Sequence, residues 1–141
     1  TPLILGVLMN NLPIVKYLVQ NARANINAVD DEYGQTPFLW AAKNGNLEIT
    51  RFLVEEKADV NAIDNEGMNA LLRAIQYGHL KTVQFLVENK ADAESEDDLG
   101  CTPLLRAAAS KHKEIAQYFI EHTNAKIEAK TWRGITVVQA A

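Results

Sequence analysis

Short apolar runs alternate with polar, turn-forming stretches along this chain, and the alternation repeats. Phe52 and Leu53 follow Ile49 by three and four residues, which places all three on one face of a helix. Similar apolar sets recur at 14–19, 83–87 and 115–120, and a shorter Ala- and Leu-rich segment precedes each set. The pattern therefore predicts pairs of short helices, with three of the pairs at 37–55, 70–88 and 103–122.

The segment Thr36–Ala42 sets the period of the repetition. It returns at 69–75 and 102–108, a degraded copy opens the chain, and a fifth copy begins at Thr136. The starts at 1, 36, 69, 102 and 136 are 35, 33, 33 and 34 residues apart, a period typical of stacked repeats. A Thr-Pro pair suits a helix start, because the hydroxyl can cap the helix and proline fits its first position. Helices this short are marginal alone, so we expect each repeat to bury its apolar faces against its neighbours.

Glycines mark the turns between repeats. A glycine stands two residues before each later repeat start, at 34, 67, 100 and 134. Each of these turns is predicted to need a positive φ, which glycine adopts cheaply. Arg23, Lys57 and Lys90 follow the second helices, and a left-handed conformation there would strain a residue with a side chain.

The repeated pattern resembles the ankyrin repeat over essentially the whole chain. It reads Thr-Pro-Leu-x-x-Ala-Ala, then Gly-(Asn/His)-Leu, then Ala-Asp-Val-Asn-Ala, then Asp-x-x-Gly. The resemblance implies an all-α solenoid of stacked helix-turn-helix repeats with projecting β-hairpin turns. It implies one domain over 1–141, with repeats at about 1–35, 36–68, 69–101 and 102–135 and a partial repeat at 136–141. We expect this chain to be a segment of a longer array.

Composition and candidate chemistry give no indication of an enzyme. The net charge of −4 argues against a nucleic-acid partner, and no apolar run has the ~20 residues needed for membrane insertion. The histidines lack metal-ligand spacing, and no glycine-rich phosphate loop is present. The acidic turn residues are interpreted as solvated, and the alternative is an acidic rim that steers a basic peptide. We therefore predict no catalytic residue, no metal and no cofactor. The single cysteine, Cys101, favours an intracellular, cytoplasmic location.

The resemblance implies protein–protein interaction through the concave face of the first helices and the hairpin tips. Variable positions on these surfaces are the predicted contacts of a partner protein or peptide: Trp40, Lys43, Arg73, Gln76, Tyr77, Arg106, Ile63, Asn65, Glu96, Asp98 and Trp132. Trp40, Arg73 and Arg106 share one repeat position, so stacking should align them as a ladder of exposed anchors. For Trp40, packing between repeats is an equally good interpretation.

Two other functions stay open at this stage. Trp40 or Trp132 could stack on a small anionic or nucleotide-like ligand while Arg73 and Arg106 pair with its phosphate. Alternatively, the array could regulate an enzyme whose catalytic domain lies outside this segment. The fourth repeat is predicted to be the least stable, because Lys111 stands where glycine is expected and Lys113 where leucine packs.

Overall fold

The computed structural model describes residues 1–123 and contains four consecutive helix pairs in that part of the chain. The helices are α1 Pro2–Leu8, α2 Leu12–Gln20, α3 Pro37–Asn44, α4 Leu47–Glu55, α5 Ala70–Gln76, α6 Leu80–Glu88, α7 Pro103–Ala109 and α8 Lys113–His122. The pairs predicted at 37–55, 70–88 and 103–122 are confirmed. None of the helices in 1–123 combines the length and apolar character needed to cross a membrane.

Each first helix begins at a side-chain cap, as the Thr-Pro pattern predicts. The hydroxyls of Thr1 and Thr36 each accept the backbone N–H three residues ahead, at 3.1 Å. Asn69 performs the same role with its amide oxygen, which accepts from Leu72 N at 2.9 Å. Capping satisfies an N–H that has no partner within the helix, so the repeat start is encoded locally.

The eight helices form two layers that share one continuous core. First helices contact the first helices of neighbouring repeats, and second helices contact second helices. Leucines such as Leu39, Leu53, Leu72 and Leu86 are fully buried between the layers. The apolar surface of each repeat is thus covered by its neighbours, which confirms the predicted solenoid.

The connections between repeats are compact turns, and none of them forms a β-strand within residues 1–123. Asp64 N–H donates to Met68 O at 3.0 Å, and Asp97 N–H donates to Cys101 O at 3.1 Å. The first turn is one residue longer, since Asp30 bonds to Gln35. Gly67 N–H and Gly100 N–H donate back to Asp64 O and Asp97 O, each at 3.0 Å. Two backbone bonds within a turn are too few for the ladder of a β-hairpin. The expected projecting β-hairpins are therefore present here only as tight turns.

Left-handed residues lie where the repeat pattern predicts them. Gly67 has φ +74°, while Lys57 and Lys90 have φ +68° and +71°. Lys111 has φ +61° at the position that Gly45 and Gly78 occupy in earlier repeats. Side chains at these angles cost conformational energy that glycine avoids.

Several predictions concern residues beyond the described range. The end of the fourth repeat from residue 124, the partial repeat at 136–141, Gly134 and the candidate contact Trp132 lie outside residues 1–123.

Candidate interaction face

An aspartate in each turn ties that turn to the first helix that follows it. Asp64 Oδ1 accepts the backbone N–H groups of Glu66 at 2.9 Å and Met68 at 3.1 Å. Its other oxygen, Oδ2, accepts from Arg73 Nε at 2.7 Å. Asp97 repeats the arrangement, with Oδ1 on the backbone of the turn and Oδ2 paired with Arg106. The carboxylate therefore holds the turn against the helix.

Trp40 occupies the equivalent position in the second repeat. Its indole Nε1–H donates to Asp30 Oδ2 at 2.7 Å, while Asp30 Oδ1 accepts from Tyr33 N at 2.6 Å. Burial raises the pKa of Asp30, but these hydrogen bonds outweigh it and lower the pKa below the usual 3.8. An indole N–H and a guanidinium thus serve the same carboxylate-binding role.

This arrangement corrects the predicted ladder of exposed anchors. The side chain of Arg73 is only 7% exposed, and its Nη2 pairs with Asp64, which is 1% exposed. Arg73 Nη1 donates to Gln76 Oε1 at 2.8 Å, so both predicted contacts are engaged within the protein. The prediction that Arg73 is a partly exposed anchor is wrong, because the turn folds back over the guanidinium. Arg106 is half-buried in its pair with Asp97.

Asp64 and Asp97 also differ from their predicted solvated state. Both are buried, with 6% and 5% of the whole residue exposed. Each precedes its arginine by nine residues, a recurrence that the sequence contains and that could have revealed the pairing. Glu66, which neighbours Asp64 in the same turn, stays 73% exposed at 3.4 Å from Arg73 Nη2.

Around Lys43 the structure brings together three aromatic rings, one from each of three successive repeats. Its Nζ lies 4.6 Å from the ring centroid of Trp40, 5.5 Å from that of Tyr77 and 5.8 Å from that of Tyr33. Tyr33 and Trp40 meet edge to face, with centroids 6.1 Å apart. Tyr33 and Tyr77 are 45% and 49% exposed. We call these four residues the Lys43 cluster.

The predicted contacts in the turns are exposed, and two of them also join repeats. Ile63 is 61% exposed, and Asn65, Glu96 and Asp98 are exposed as well. A Cβ added at Gly67 would lie 2.1 Å from Asp98 Oδ1, and one at Gly34 would lie 2.3 Å from Asn65 Oδ1. Asn65 and Asp98 therefore pack on the glycine of the preceding turn, which explains why that glycine lacks a side chain.

The histidine column bonds successive repeats together. His79 Nε2 lies 2.9 Å from Lys43 O, and His112 Nε2 lies 3.2 Å from Gln76 O. Asn46 at the same position donates to Val7 O at 3.2 Å. Each side chain satisfies a carbonyl at the end of the preceding first helix, which has no partner within that helix. His79 and His112 therefore act as caps at the C-terminal ends of the preceding first helices.

These contacts define a solenoid of stacked helix pairs whose polar side chains mostly lock the turns and join the repeats. Two overlapping segments, 3–97 and 57–131, match the family described as ankyrin repeats in three copies. The chain belongs to the ankyrin-repeat family. Ankyrin repeats generally mediate protein–protein interaction, and the repeat domain is itself non-catalytic.

Three relatives show the breadth of proteins in which similar repeats occur. The chain is 41% identical over 64 residues to palmitoyltransferase akr1 of Schizosaccharomyces pombe, covering 45% of this chain and 10% of that protein. It is 36% identical over 70 residues to ankyrin repeat and SAM domain-containing protein 6 of Rattus norvegicus, covering 50% and 8%. It is 32% identical over 70 residues to alpha-latrocrustotoxin-Lt1a of Latrodectus tredecimguttatus, covering 50% and 5%. The chain thus spans a tenth or less of these relatives.

Proposed function

We propose that this array binds a protein or peptide partner through the Lys43 cluster and the neighbouring turn tips. The carrying observation is the concentration of exposed aromatic and apolar surface there. Tyr33, Tyr77 and Ile63 are 45%, 49% and 61% exposed, although side chains of these types usually gain by burial. Tyrosine and tryptophan are also enriched among residues that dominate binding energy at interfaces.

Hydrogen bonds within the protein hold the residues of this surface in place. Asp30 fixes Trp40, Asp64 fixes Arg73, and His79 bonds to the backbone of Lys43. A surface held in place by such bonds loses little conformational entropy when a partner binds. Arg73 and Arg106 therefore contribute as supports of the face rather than as anchors.

The geometry gives less support to recognition of a small anionic ligand. Arg73 directs Nε and Nη2 to Asp64 and Nη1 to Gln76, so its planar donor set is already occupied. Arg106 pairs with Asp97. At Arg73, a phosphate would have to displace Asp64, at the cost of leaving that carboxylate buried without its cation.

A role beside a catalytic domain remains compatible with the proposal. The match to palmitoyltransferase akr1 covers 10% of that enzyme, so it carries no activity to this chain. In such a setting the array would still act by binding a protein.

Tyr77→Ala tests the proposal because it removes an exposed ring and leaves the hydrogen bonds of Asp30, Asp64 and His79 in place. Partners captured from a lysate by the wild-type chain would be identified by mass spectrometry, and their affinity measured by calorimetry. We expect Tyr77→Ala to weaken binding by about 2 kcal/mol, roughly thirtyfold in Kd. Tyr17→Ala is the matched control, since Tyr17 is 63% exposed in α2 of the second-helix layer.

Comparable losses from Tyr77→Ala and Tyr17→Ala would place the binding surface elsewhere. Unchanged affinity in the Tyr77 variant would likewise contradict the proposal. Urea denaturation of both variants separates a binding effect from a folding effect, because each tyrosine is exposed.

A further inference from the structure

The Lys43 ammonium is surrounded by rings instead of carboxylates. Trp40 comes from α3, Tyr33 from the turn before it and Tyr77 from the end of α5 in the next repeat. All three centroids lie within 5.8 Å of Nζ, a distance at which a ring face attracts a cation. The ion pairs found among residues 1–123 involve Arg73 and Arg106, and no carboxylate there forms an ion pair with Lys43.

The carboxylates around this cation site are numerous and mostly exposed. The turns at 30–35, 64–68 and 97–101 contain no lysine or arginine. Arg73 and Arg106 neutralise Asp64 and Asp97. The exposed acidic side chains in these turns or directly beside them are Asp31, Glu32, Glu66, Glu96 and Asp98. A face with this excess of negative charge attracts cationic segments and repels acidic ones.

Carboxylates lie beside the polar groups of both Tyr33 and Trp40. A hydrogen bond to Glu32, together with the negative charge of that carboxylate, raises the pKa of Tyr33 above its usual 10.0. The ring of Trp40 is oriented by the bond from its indole to Asp30. The three rings therefore form a prepared site for a positive charge.

Resting on the proposed function, we propose that the partner contributes a basic segment whose lysine or arginine enters the space between Tyr33, Trp40 and Tyr77. Lys43 occupies this cation site in the free protein and must leave it when the partner binds. Two ammonium groups cannot share the site, because like charges a few ångströms apart repel. Lys43 can leave without breaking an ion pair, and its half-buried side chain has solvent beside it.

This role for Lys43 reverses the effect expected from a contact residue. Removing a lysine that anchors a partner weakens binding, whereas removing one that competes with the partner strengthens it. Lys43→Met keeps most of the aliphatic side chain on the rings and removes the charge. Because a cation–π contact at an exposed site is modest, we expect binding of a cationic peptide to become roughly two- to fivefold tighter.

The test uses a capped oligolysine peptide and the indole N–H resonance of Trp40. The chain has two tryptophans, so Trp132→Phe identifies the Trp40 signal. The peptide is titrated at low ionic strength into wild type, Lys43→Met and Lys81→Met. Lys81 is an exposed lysine of α6 in the second-helix layer, so its variant carries the same charge change away from the site.

We expect oligolysine to shift the Trp40 resonance, with tighter binding in Lys43→Met than in both wild type and Lys81→Met. Equal or weaker binding in Lys43→Met overturns the inference. So does a shift caused by capped oligoglutamate that disappears in Lys43→Met, because it would make Lys43 an anchor for a carboxylate. If oligolysine has no effect while a captured partner still requires Tyr77, the inference fails and the proposed function stands.

Discussion

Arg73→Met should destabilise the array strongly, although arginine at a first-helix surface position usually tolerates replacement. In the structure the Arg73 and Asp64 side chains are 7% and 1% exposed, and two nitrogens of Arg73 lie 2.7 Å from Asp64 Oδ2. Without Arg73, the hydrogen bond left to that oxygen within residues 1–123 is the one from Gln35 Nε2 at 3.3 Å. Breaking one partner of a buried pair typically costs about 3–5 kcal/mol, and we expect about 3 kcal/mol because Glu66 and solvent lie at the edge of the pair.

Urea denaturation followed by circular dichroism measures this loss. Arg51→Met is the matched control, because Arg51 is exposed in α4 and its guanidinium carbon lies 5.2 Å from the centroid of the Phe85 ring. Its replacement should cost about 1 kcal/mol or less. In a double-mutant cycle, Asp64→Asn combined with Arg73→Met should cost less than the sum of the single changes. The reasoning is refuted if Arg73→Met matches Arg51→Met, or if the cycle shows no coupling.

Three further predictions concern the turns and the fourth repeat. Lys111→Gly should stabilise the protein by about 1 kcal/mol, since φ +61° suits glycine; an unchanged urea midpoint would contradict this. The lowered pKa of Asp30 implies that this carboxylate contributes fully to the free energy of unfolding above about pH 4. That contribution is lost as the pH falls through the lowered pKa. The melting-temperature gap between wild type and Asp30→Asn should therefore shrink in acid, and a gap independent of pH would count against it. Burial, with the nearby Asp97 charge, raises the pKa of the Cys101 thiol. Disulfide reagents should therefore label Cys101 slowly in water. If the fourth repeat unfolds first, labelling should become fast at urea concentrations below the main circular dichroism transition. Labelling that becomes fast only at the main transition would argue for uniform stability.

The helix pairs were predictable from sequence because the signals that make them are local. Each signal acts within one repeat and recurs in the others. The signals are a helix cap such as Thr36, a helix end such as Gly45 and the apolar spacing of the helix that follows. The predicted pair at 37–55 therefore agrees with α3 and α4. Left-handed positions such as Lys57 were predictable for the same reason.

Which polar side chains face solvent was decided by tertiary structure. Asp64 and Glu66 are both acidic residues of one turn, yet their side chains are 1% and 73% exposed. The difference arises because the turn folds over α5 and directs only Asp64 toward Arg73. Residue type alone does not encode that direction, and the recurring nine-residue spacing between aspartate and arginine was its one signal in the sequence. Without use of that signal, the sequence pattern placed Arg73 on the binding face.

The Lys43 cluster likewise exists only after stacking. Tyr77 lies 34 residues after Lys43 in the chain, but 5.5 Å separates its ring centroid from the lysine Nζ. Sequence pattern identified Trp40, Lys43 and Tyr77 as variable surface positions. Their convergence on one cation depends on the distance and rotation between adjacent repeats, which are set by the buried packing of α3 against α5.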